Sequence, residues 1–526
     1  MRSVVLSGFM GTGKSTIGPA LAGALGIPFV DTDCEIEAVS GRKIPDLWQR
    51  EGEAAFRLRE AELVQRLLSE PTARVIAFGG GTVIDARTRR LALDRSLVVT
   101  LTASPQTILE RIPDFAARPH LAVSNPAARV TELLAQRAEV YAECHLSLAT
   151  DGMDIHDSIR EIIRARERDA LVVPLGARSY TVDVCLNDPG RLSEAIVRSR
   201  PSLVLWVTDA NVAAARDPAF GTATRALEVP LRRVVLAPGE RHKTIDAVRA
   251  IWDAGLSAGV DRDAVVVAAG GGVVGDLAGF AAATLLRGVR YVQAPTTVLS
   301  MVDSSVGGKT GFDHTAGKNL IGAFHQPSGV VADLEHLTTL SARERVAGLA
   351  EVAKIAIVSD ELLLARVEQD ATRLARGDVD ALLPAVRGAV EAKIRIVRDD
   401  EREAGPRALL NLGHTVGHAL EARGGFSRFL HGEAVAMGTM VELRATANLG
   451  WTPAAIVERA GAVFAALGLP SASAIDRHEL EAAWAFVASD KKRGGDAIRL
   501  PVVTASGRAE VRRVSLLDLR RAVLAG

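Results

Sequence analysis

Cysteine is scarce: only Cys34, Cys144 and Cys185 occur in 526 residues, and no two form a CxxC pair. An odd number so widely spaced excludes a disulfide framework and points to free thiols in a reducing compartment. Surplus charge is missing too, since 63 basic residues face 63 acidic ones, which leaves no overall basic field to hold nucleic acid. Local basic pockets for phosphate remain compatible with that balance. Where a signal peptide would place its apolar core, a short strand and a glycine-rich loop follow Arg2 directly, so a cytoplasmic protein is expected. Apolar residues make up 48% against 24% charged, the proportion of a well-buried globular protein. The length is that of roughly three to four domains.

Long apolar runs are nearly absent. The exception, AVVVAAGGGVVGDLAGFAAATLL at 264–286, has a single charge over 23 residues and is long enough to span a bilayer. It also holds Gly270, Gly271, Gly272, Gly275 and Gly279, with Asp276 at its middle, where a carboxylate would cost about 3 kcal/mol in hydrocarbon. A buried strand, a glycine turn and a helix fit better. This is not a GxGxxG spelling in a first βα unit, so the pattern alone leaves dinucleotide binding open.

What is present begins with RSVVLS, a β-branched strand leading into GFMGTGKST and the helix IGPALAGALG. Gly8, Gly13, Lys14 and Ser15 satisfy GxxxxGK[ST] in the required strand, loop, helix order. Glycine backbone N–H groups surround phosphate oxygens, the lysine adds charge near the β/γ bridge, and the serine hydroxyl faces Mg²⁺. An ATP or GTP site is expected. The next strand ends in Asp31 and Asp33, whose carboxylates share a side and could serve metal-bound water or a substrate hydroxyl, or could cap the following helix. Arg57 and Glu60 lie one helical turn apart, Gly79, Gly80 and Gly81 follow another strand, and Arg111, Arg118 and Arg137 come later. Spread arginines suit a solvated surface. Arg118, in a proline-containing loop, also suits a mobile lid that stabilises a transferring phosphoryl group.

Residues 1 to about 165 resemble shikimate kinase through GFMGTGKST, DTD, the FRxxE pair, GGG, the lid arginine-proline and the later arginine. The resemblance implies ATP on Gly11, Thr12, Gly13, Lys14, Ser15 and Thr16 with Mg²⁺ at Ser15. It implies Arg111 beside adenine, Arg118 as the lid arginine, and shikimate on Asp33, Arg57, Gly79 to Gly81 and Arg137. Asp31 would order Mg²⁺ through water or serve the reacting hydroxyl, and Lys14, Asp31 and Arg118 would be catalytic. A sensor module would need the phosphate loop but not the acid-substrate residues.

The helical stretch 157–170 passes into a charged tail at Arg164, Arg166, Glu167, Arg168 and Asp169, read as a solvated junction. A domain 1–168 is expected to end there. Strands SYTVDVCL, LVLWVTDANV and RRVVLAPGERHKT then alternate with helical stretches, which argues for an α/β domain with a parallel sheet over 169–340. DSSVGGKT at 303–310 mimics a phosphate loop, but Asp303 stands where its first glycine belongs, so a second nucleotide loop is rejected. Lys309, Lys318 and Asn319 are either anion donors on glycine-rich backbone or exposed surface.

From Ser341 onward strands are expected to stop, giving a mainly α-helical domain over 341–526. In RALLNLGHTVGHALEARGGFSRFLH, helical spacing of the apolar positions puts His414 and His418 on one face, and His431 follows Gly424 and Gly425. Histidines decorating a helix pair is one reading. The other adds Glu351, three residues before Lys354, to make a two-imidazole, one-carboxylate set with open positions for substrate on Zn²⁺. Spacing leaves undecided which two histidines ligate, and Glu351 with Lys354 could be an ordinary helical ion pair.

Residues 171–526 resemble 3-dehydroquinate synthase through VTDANV, PGERHKT, GGGVVGD, MVDSSVGGKT, GKN, AEVAK, LNLGHTVGHALE, HGEAVAMG and DKK. The resemblance implies Zn or Co on Glu351, His414 and His431. It implies NAD on Asp209, Asn211, Glu240, Lys243, Gly271, Gly272, Asp276, Thr296, Thr297, Lys318 and Thr339. It places heptulosonate phosphate on Asp303, Lys309, Asn319, Lys354, Lys393, Arg407, Asn411, His418, Lys491 and Lys492, with Lys309, Lys354, Glu403 and His418 catalytic. A homodimer through this part is implied as well. SARE at 341–344 departs from the family's proline there, with a local loop effect expected. A metal-dependent polyol dehydrogenase is the competing reading, and it would accumulate NADH. In the expected architecture a P-loop kinase precedes a Rossmann-like NAD domain and a helical metal-binding domain.

Overall fold

The computed structural model describes residues 2–112, 115, 121, 123–225, 227–315, 317–425, 427–470, 475–491 and 497–525. The chain divides into two compact units, Met1–Thr181 and Val182–Gly526. In the first, five parallel strands run in the order Phe29–Asp31, Val75–Ala77, Ser3–Ser7, Ser96–Thr102, Leu146–Ala149. The central strand shows why the sheet is covered on both sides: Val4 and Leu6 join one core cluster and Val5 the other, the two-residue alternation of an extended chain. Helix Ile155–Arg168 continues through the stretch read as a charged tail, burying Ile159 and Ile162. Just beyond its end, Asp169 pairs with Arg2 at 2.8 Å.

In the second unit the sheet order is Tyr180–Cys185, Gly329–Asp333, Arg290–Pro295, Val265–Gly270, Val204–Asp209, Leu231–Leu236, with parallel pairing from Gly329–Asp333 through Leu231–Leu236. Val266 and Ala268 face one cluster, Val265, Val267 and Ala269 the other. The apolar run is resolved as expected into strand Val265–Gly270, a turn at Gly271 and helix Gly272–Thr284. Among the described residues no helix is long and apolar enough to cross a membrane.

Helices dominate after Ser341, but two expectations need correction. Strands do not stop there: Ala497–Ala505 and Arg508–Ser515 form an antiparallel ribbon. Their arginines supply polar positions that blur the apolar signal. Nor is the histidine stretch one helix. Pro406–Asn411 is a 3₁₀ turn, and helix His414–Arg423 starts only after Gly413, whose φ is +81°, a left-handed value that breaks any helix.

Helices Ala342–Ser359, His414–Arg423 and His431–Asn448 pack closely because glycine lies where they cross. A Cβ on Gly432 would sit 1.8 Å from the Ala347 carbonyl oxygen, and one on Gly438 2.2 Å from that of Gly413. Both obstacles are backbone and cannot swing aside. Gly432→Ala is therefore expected to cost about 1–3 kcal/mol by overpacking, measured by urea unfolding. Gly461→Ala is the control, because its Cβ meets only the flexible Met440 Cε at 3.3 Å; it should be neutral or stabilising by less than about 1 kcal/mol.

Candidate active sites

In the first unit the loop after Ser3–Ser7 turns on Gly8, Gly11 and Gly13, with φ of +127°, +80° and +98°. Gly13 leads into helix Lys14–Leu25, and a glycine loop ending on a helix N-terminus offers its N–H groups to an anion. Lys14 Nζ folds back to donate to the carbonyls of Gly8 (2.8 Å) and Phe9 (2.9 Å). Thr12 donates to Phe9 O at 2.7 Å, and Thr16 is exposed. Ser15 Oγ donates to Asp31 Oδ2 at 3.2 Å. Asp31 also caps helix Thr32–Ser40, its Oδ1 accepting from the N–H groups of Asp33 and Cys34, as the capping reading expects. Arg111 reaches the loop's flank, donating to Gly11 O at 3.4 Å and to Thr150 Oγ1 and O at 3.0 Å.

Asp33, Arg57, the glycine turn and Arg137 come together next to this loop. A Cβ on Gly79 would meet Asp33 Oδ1 at 2.6 Å, and one on Gly81 would meet Arg57 Nη2 at 2.5 Å. Gly80 O accepts from Arg137 Nη1 at 3.0 Å and Tyr141 OH at 2.6 Å. Arg57 donates to the buried Glu60 at 2.8 Å, and Thr82 donates to the other oxygen of Glu60 at 2.5 Å. Burial, helped by Glu60 and Asp31, raises the Asp33 carboxyl to about 6 against the pull of Lys14 and Arg57. Arg118 lies outside the described residues.

In the second unit, strand register sets one edge. Gly270 pairs with Pro295, and Ala268 with Val207, so the parallel strands bring Asp209, Gly271, Gly272, Thr296 and Thr297 to their carboxyl ends, where nucleotides bind such sheets. Asn211 sits there too, its N–H donating to Asp209 Oδ1 at 2.9 Å. Lys243 Nζ donates to Asp276 Oδ2 and Asn319 Oδ1, both at 2.6 Å, and Lys318 lies 3.2 Å from Glu240. Thr339 closes the turn after Gly329–Asp333 by donating to His336 O at 3.2 Å.

A cleft of about 550 Å³ brings together Asp276, Asp303, Lys309, Asn319, Lys354, Lys393, Glu403, Arg407, Asn411 and all three histidines. Asp303, in the π-helical turn Ser300–Ser304, pairs with Lys393. Burial opposes its ionisation, yet Lys393 and Lys354 hold it well below the usual carboxylate range. Lys309 pairs with Glu403, which also accepts from Asn411. Arg407 donates to Gly307 O at 3.2 Å.

Glu351 lies behind the histidines of this cleft. Fully buried on helix Ala342–Ser359, it ion-pairs with Lys354, yet among the described residues none donates a hydrogen bond to either carboxylate oxygen. Its Oε1 lies 3.9 Å from His414 Nε2 and 3.8 Å from His431 Nε2. Both histidines are the first residues of their helices. Burial, with Lys354 and the other two imidazoles, holds His414 well below the ordinary value, so it is a neutral donor. His418 is exposed and groups with His431 and Glu421. These donors fit a divalent ion: two neutral-capable nitrogens and a carboxylate whose oxygens lack hydrogen bonds. Lys491 ends helix Arg477–Lys491; its side chain and Lys492 lie outside the described residues.

Residues 233–347 match the 3-dehydroquinate synthase N-terminal family model and 348–493 the C-terminal one, while 10–167 match that of shikimate kinase. 3-Dehydroquinate synthase of Halorhodospira halophila is 44% identical over 342 residues, 64% of this chain and 94% of the relative. That of Caulobacter vibrioides is 44% identical over 361 residues, 67% and 96%. The chain belongs to the 3-dehydroquinate synthase family. A solved 2-epi-5-epi-valiolone synthase from Streptomyces hygroscopicus subsp. jinggangensis, with NAD⁺ and Zn²⁺ bound, is 28% identical, covers 66% of this chain and 96% of its own, and has a TM-score of 0.59. With the kinase domain ahead of it, the chain is a bifunctional shikimate-pathway enzyme. It phosphorylates shikimate, and it converts 3-deoxy-D-arabino-heptulosonate 7-phosphate to 3-dehydroquinate and phosphate.

Sequence reading missed two buried acids of the synthase. Glu421 accepts from His431 Nδ1 at 3.2 Å and pairs with Lys318 at 3.3 Å. Burial would raise it, but these partners bring it down to about 2. Glu442 accepts from the N–H groups of Gly413 (2.8 Å) and Val416 (3.1 Å), capping the His414 helix from its neighbour. Glu421 follows His418 by three residues within LNLGHTVGHALE, and that spacing was the available signal. In the kinase, the close approach of Gly81 to the tip of Arg57 yields a test. Gly81→Ala should displace the guanidinium and raise KM for shikimate about tenfold or more, the equivalent of roughly 1.5 kcal/mol for one charge-assisted hydrogen bond. KM for ATP and the unfolding midpoint should hold steady, and an unchanged shikimate KM would separate Arg57 from substrate.

Proposed function

We propose that the kinase, residues 1–168, binds MgATP on Gly11 to Thr16. Ser15 holds Mg²⁺, Lys14 reaches the phosphates, Arg111 lies beside the adenine and Arg118 closes from the lid. A hydroxyl beside a carboxylate, as at Ser15 and Asp31, suits an ion that keeps several waters. Arg57 and Arg137 meet the shikimate carboxylate, Asp33 and the Gly79 to Gly81 turn hold its ring hydroxyls, and Asp31 draws the proton from the hydroxyl that attacks.

The synthase is read as an NAD-binding part, 169–340, and a metal- and substrate-binding part, 341–526. Glu351, His414 and His431 hold Zn or Co. Asp209, Asn211, Glu240, Lys243, Gly271, Gly272, Asp276, Thr296, Thr297, Lys318 and Thr339 hold NAD. When bound, NAD⁺ supplies a reversible hydride acceptor and the divalent ion a Lewis acid for substrate oxygens. Lys309, Lys354, Lys393 and Arg407 give phosphate and carboxylate their cationic partners, with Asp303, Asn319, Asn411 and Lys491 or Lys492 completing the pocket. Glu403, held by Lys309 and Asn411, and the exposed His418 hold and move protons. The observation that carries this reading is Glu351, buried without a hydrogen bond and facing two imidazole nitrogens.

We also infer a homodimer through the synthase, supported by Ile321, an exposed apolar side chain on strand Gly317–Phe324, whose Leu320 and Phe324 line the cleft instead. Sedimentation of the full chain should give twice the monomer mass, with Ile321→Asp shifting it toward monomer; a wild type that sediments as monomer refutes the inference.

Overall the conversion leaves the nicotinamide as it began. Chelation, or His431→Ala, should abolish phosphate release from the heptulosonate phosphate while shikimate phosphorylation persists with fresh Mg²⁺. The untreated enzyme should release stoichiometric phosphate with no lasting rise at the NADH band. NADH accumulating in step with substrate consumed would favour the polyol dehydrogenase reading, and phosphate release indifferent to chelator would remove the metal assignment.

A further inference from the structure

A line of charged side chains joins the nucleotide edge of the synthase sheet to the histidine cluster. Glu421 is 4% exposed and divides its two oxygens. Oε2 lies 3.2 Å from His431 Nδ1, and Oε1 lies 3.3 Å from Lys318 Nζ. Lys318 is itself divided, with Glu240 Oε1 3.2 Å away on its other side. The far nitrogen of the same imidazole, Nε2, is the one that faces Glu351 at 3.8 Å. A carboxylate accepting at Nδ1 keeps the proton on that nitrogen and leaves the Nε2 lone pair available, so Glu421 sets both the tautomer and the ring's direction.

We propose that Glu421 is a positioning residue for His431, and that Lys318, shared between Glu421 and Glu240, couples dinucleotide binding to divalent-ion binding. It rests on the metal and NAD reading above. With neither ligand bound, the lysine neutralises part of the carboxylate that polarises His431. An arriving pyrophosphate or ribose at the Glu240 edge competes for that same ammonium. To the extent that Lys318 turns to the dinucleotide, Glu421 keeps its full charge for the imidazole, and the ring becomes a stronger donor. Coupling of this kind is reciprocal, so the ion must raise dinucleotide affinity by the same factor.

The test uses the full-length chain, stripped of metal and NAD and titrated with Co²⁺, read by the visible absorption of the bound ion, with and without saturating NAD⁺. For the wild type, NAD⁺ should tighten Co²⁺ about tenfold. Glu421→Gln, nearly isosteric and still an acceptor, should weaken Co²⁺ about tenfold, and Glu421→Ala more. Lys318→Met should bind Co²⁺ at least as tightly as the wild type, with less than about a twofold response to NAD⁺. Glu240→Gln, which removes the Glu240 charge from Lys318, should weaken Co²⁺ about threefold without any NAD⁺ present. Wild-type far-UV circular dichroism and an unchanged urea-unfolding profile of each variant report that the synthase unit is folded. Wild-type Co²⁺ affinity in Glu421→Ala, no NAD⁺ effect in the wild type, or an undiminished one in Lys318→Met would each overturn the proposal. A wild type that takes up no Co²⁺ would instead remove the metal reading beneath it.

Discussion

The synthase depends on one uncomfortable group. Burying a carboxylate costs several kcal/mol unless partners replace its water, and Glu351 has no exposed surface and, among the described residues, no hydrogen bond to either oxygen. Lys354 offsets part of the cost as an ion pair, but a single ammonium leaves most lone pairs unused. A folded chain keeps such a group when a ligand supplies the rest, which is why this carboxylate says more about function than the exposed ion pairs of the surface.

The surrounding fold serves that constraint. His414 and His431 each open a helix, whose positive end disfavours an imidazolium; burial and Lys354 hold His414 below its ordinary value, whereas at His431 the carboxylates of Glu421 and Glu351 outweigh burial and raise it. The helices reach Glu351 only because glycines permit backbone contact, Gly432 against Ala347 and Gly438 against Gly413. Gly413 itself has no side chain to cap the helix it begins, and Glu442 does so from across the interface. One buried acid therefore ties the start of the ligand helix to the helix that carries the other histidine.

Legibility in the sequence followed from how local each cause is. The phosphate loop could be read because its glycines, Lys14 and Ser15 act within one turn of chain. The pairing of Glu351 with His414 and His431 could be suspected from residue type but not decided, since spacing treats His414 and His418 alike and only packing separates them. Glu442 was illegible for the same reason, since an acid on a helix reads as solvated surface until the neighbouring helix covers it, and Glu421 showed only through its three-residue spacing from His418. The break at Gly413 was missed because apolar spacing runs through it unbroken, and the arginine-rich ribbon after residue 496 because its alternation is masked by charge.

The two chemistries place different demands on their scaffolds. Phosphoryl transfer needs an anion cradle and a second substrate held in line, and the first unit provides both at the ends of one small parallel sheet. Release of phosphate from the heptulosonate needs a cation-rich pocket and proton carriers, which are drawn from the paired strands Lys309–His314 and Gly317–Phe324, the turn at Glu403 and seven helical segments. Each unit has sheet-covering core clusters on both faces. The reactions are not consecutive, and passing an intermediate from one site to the other offers no physical advantage. What joining them in one chain does fix is their ratio, one kinase for each synthase, whatever the expression level.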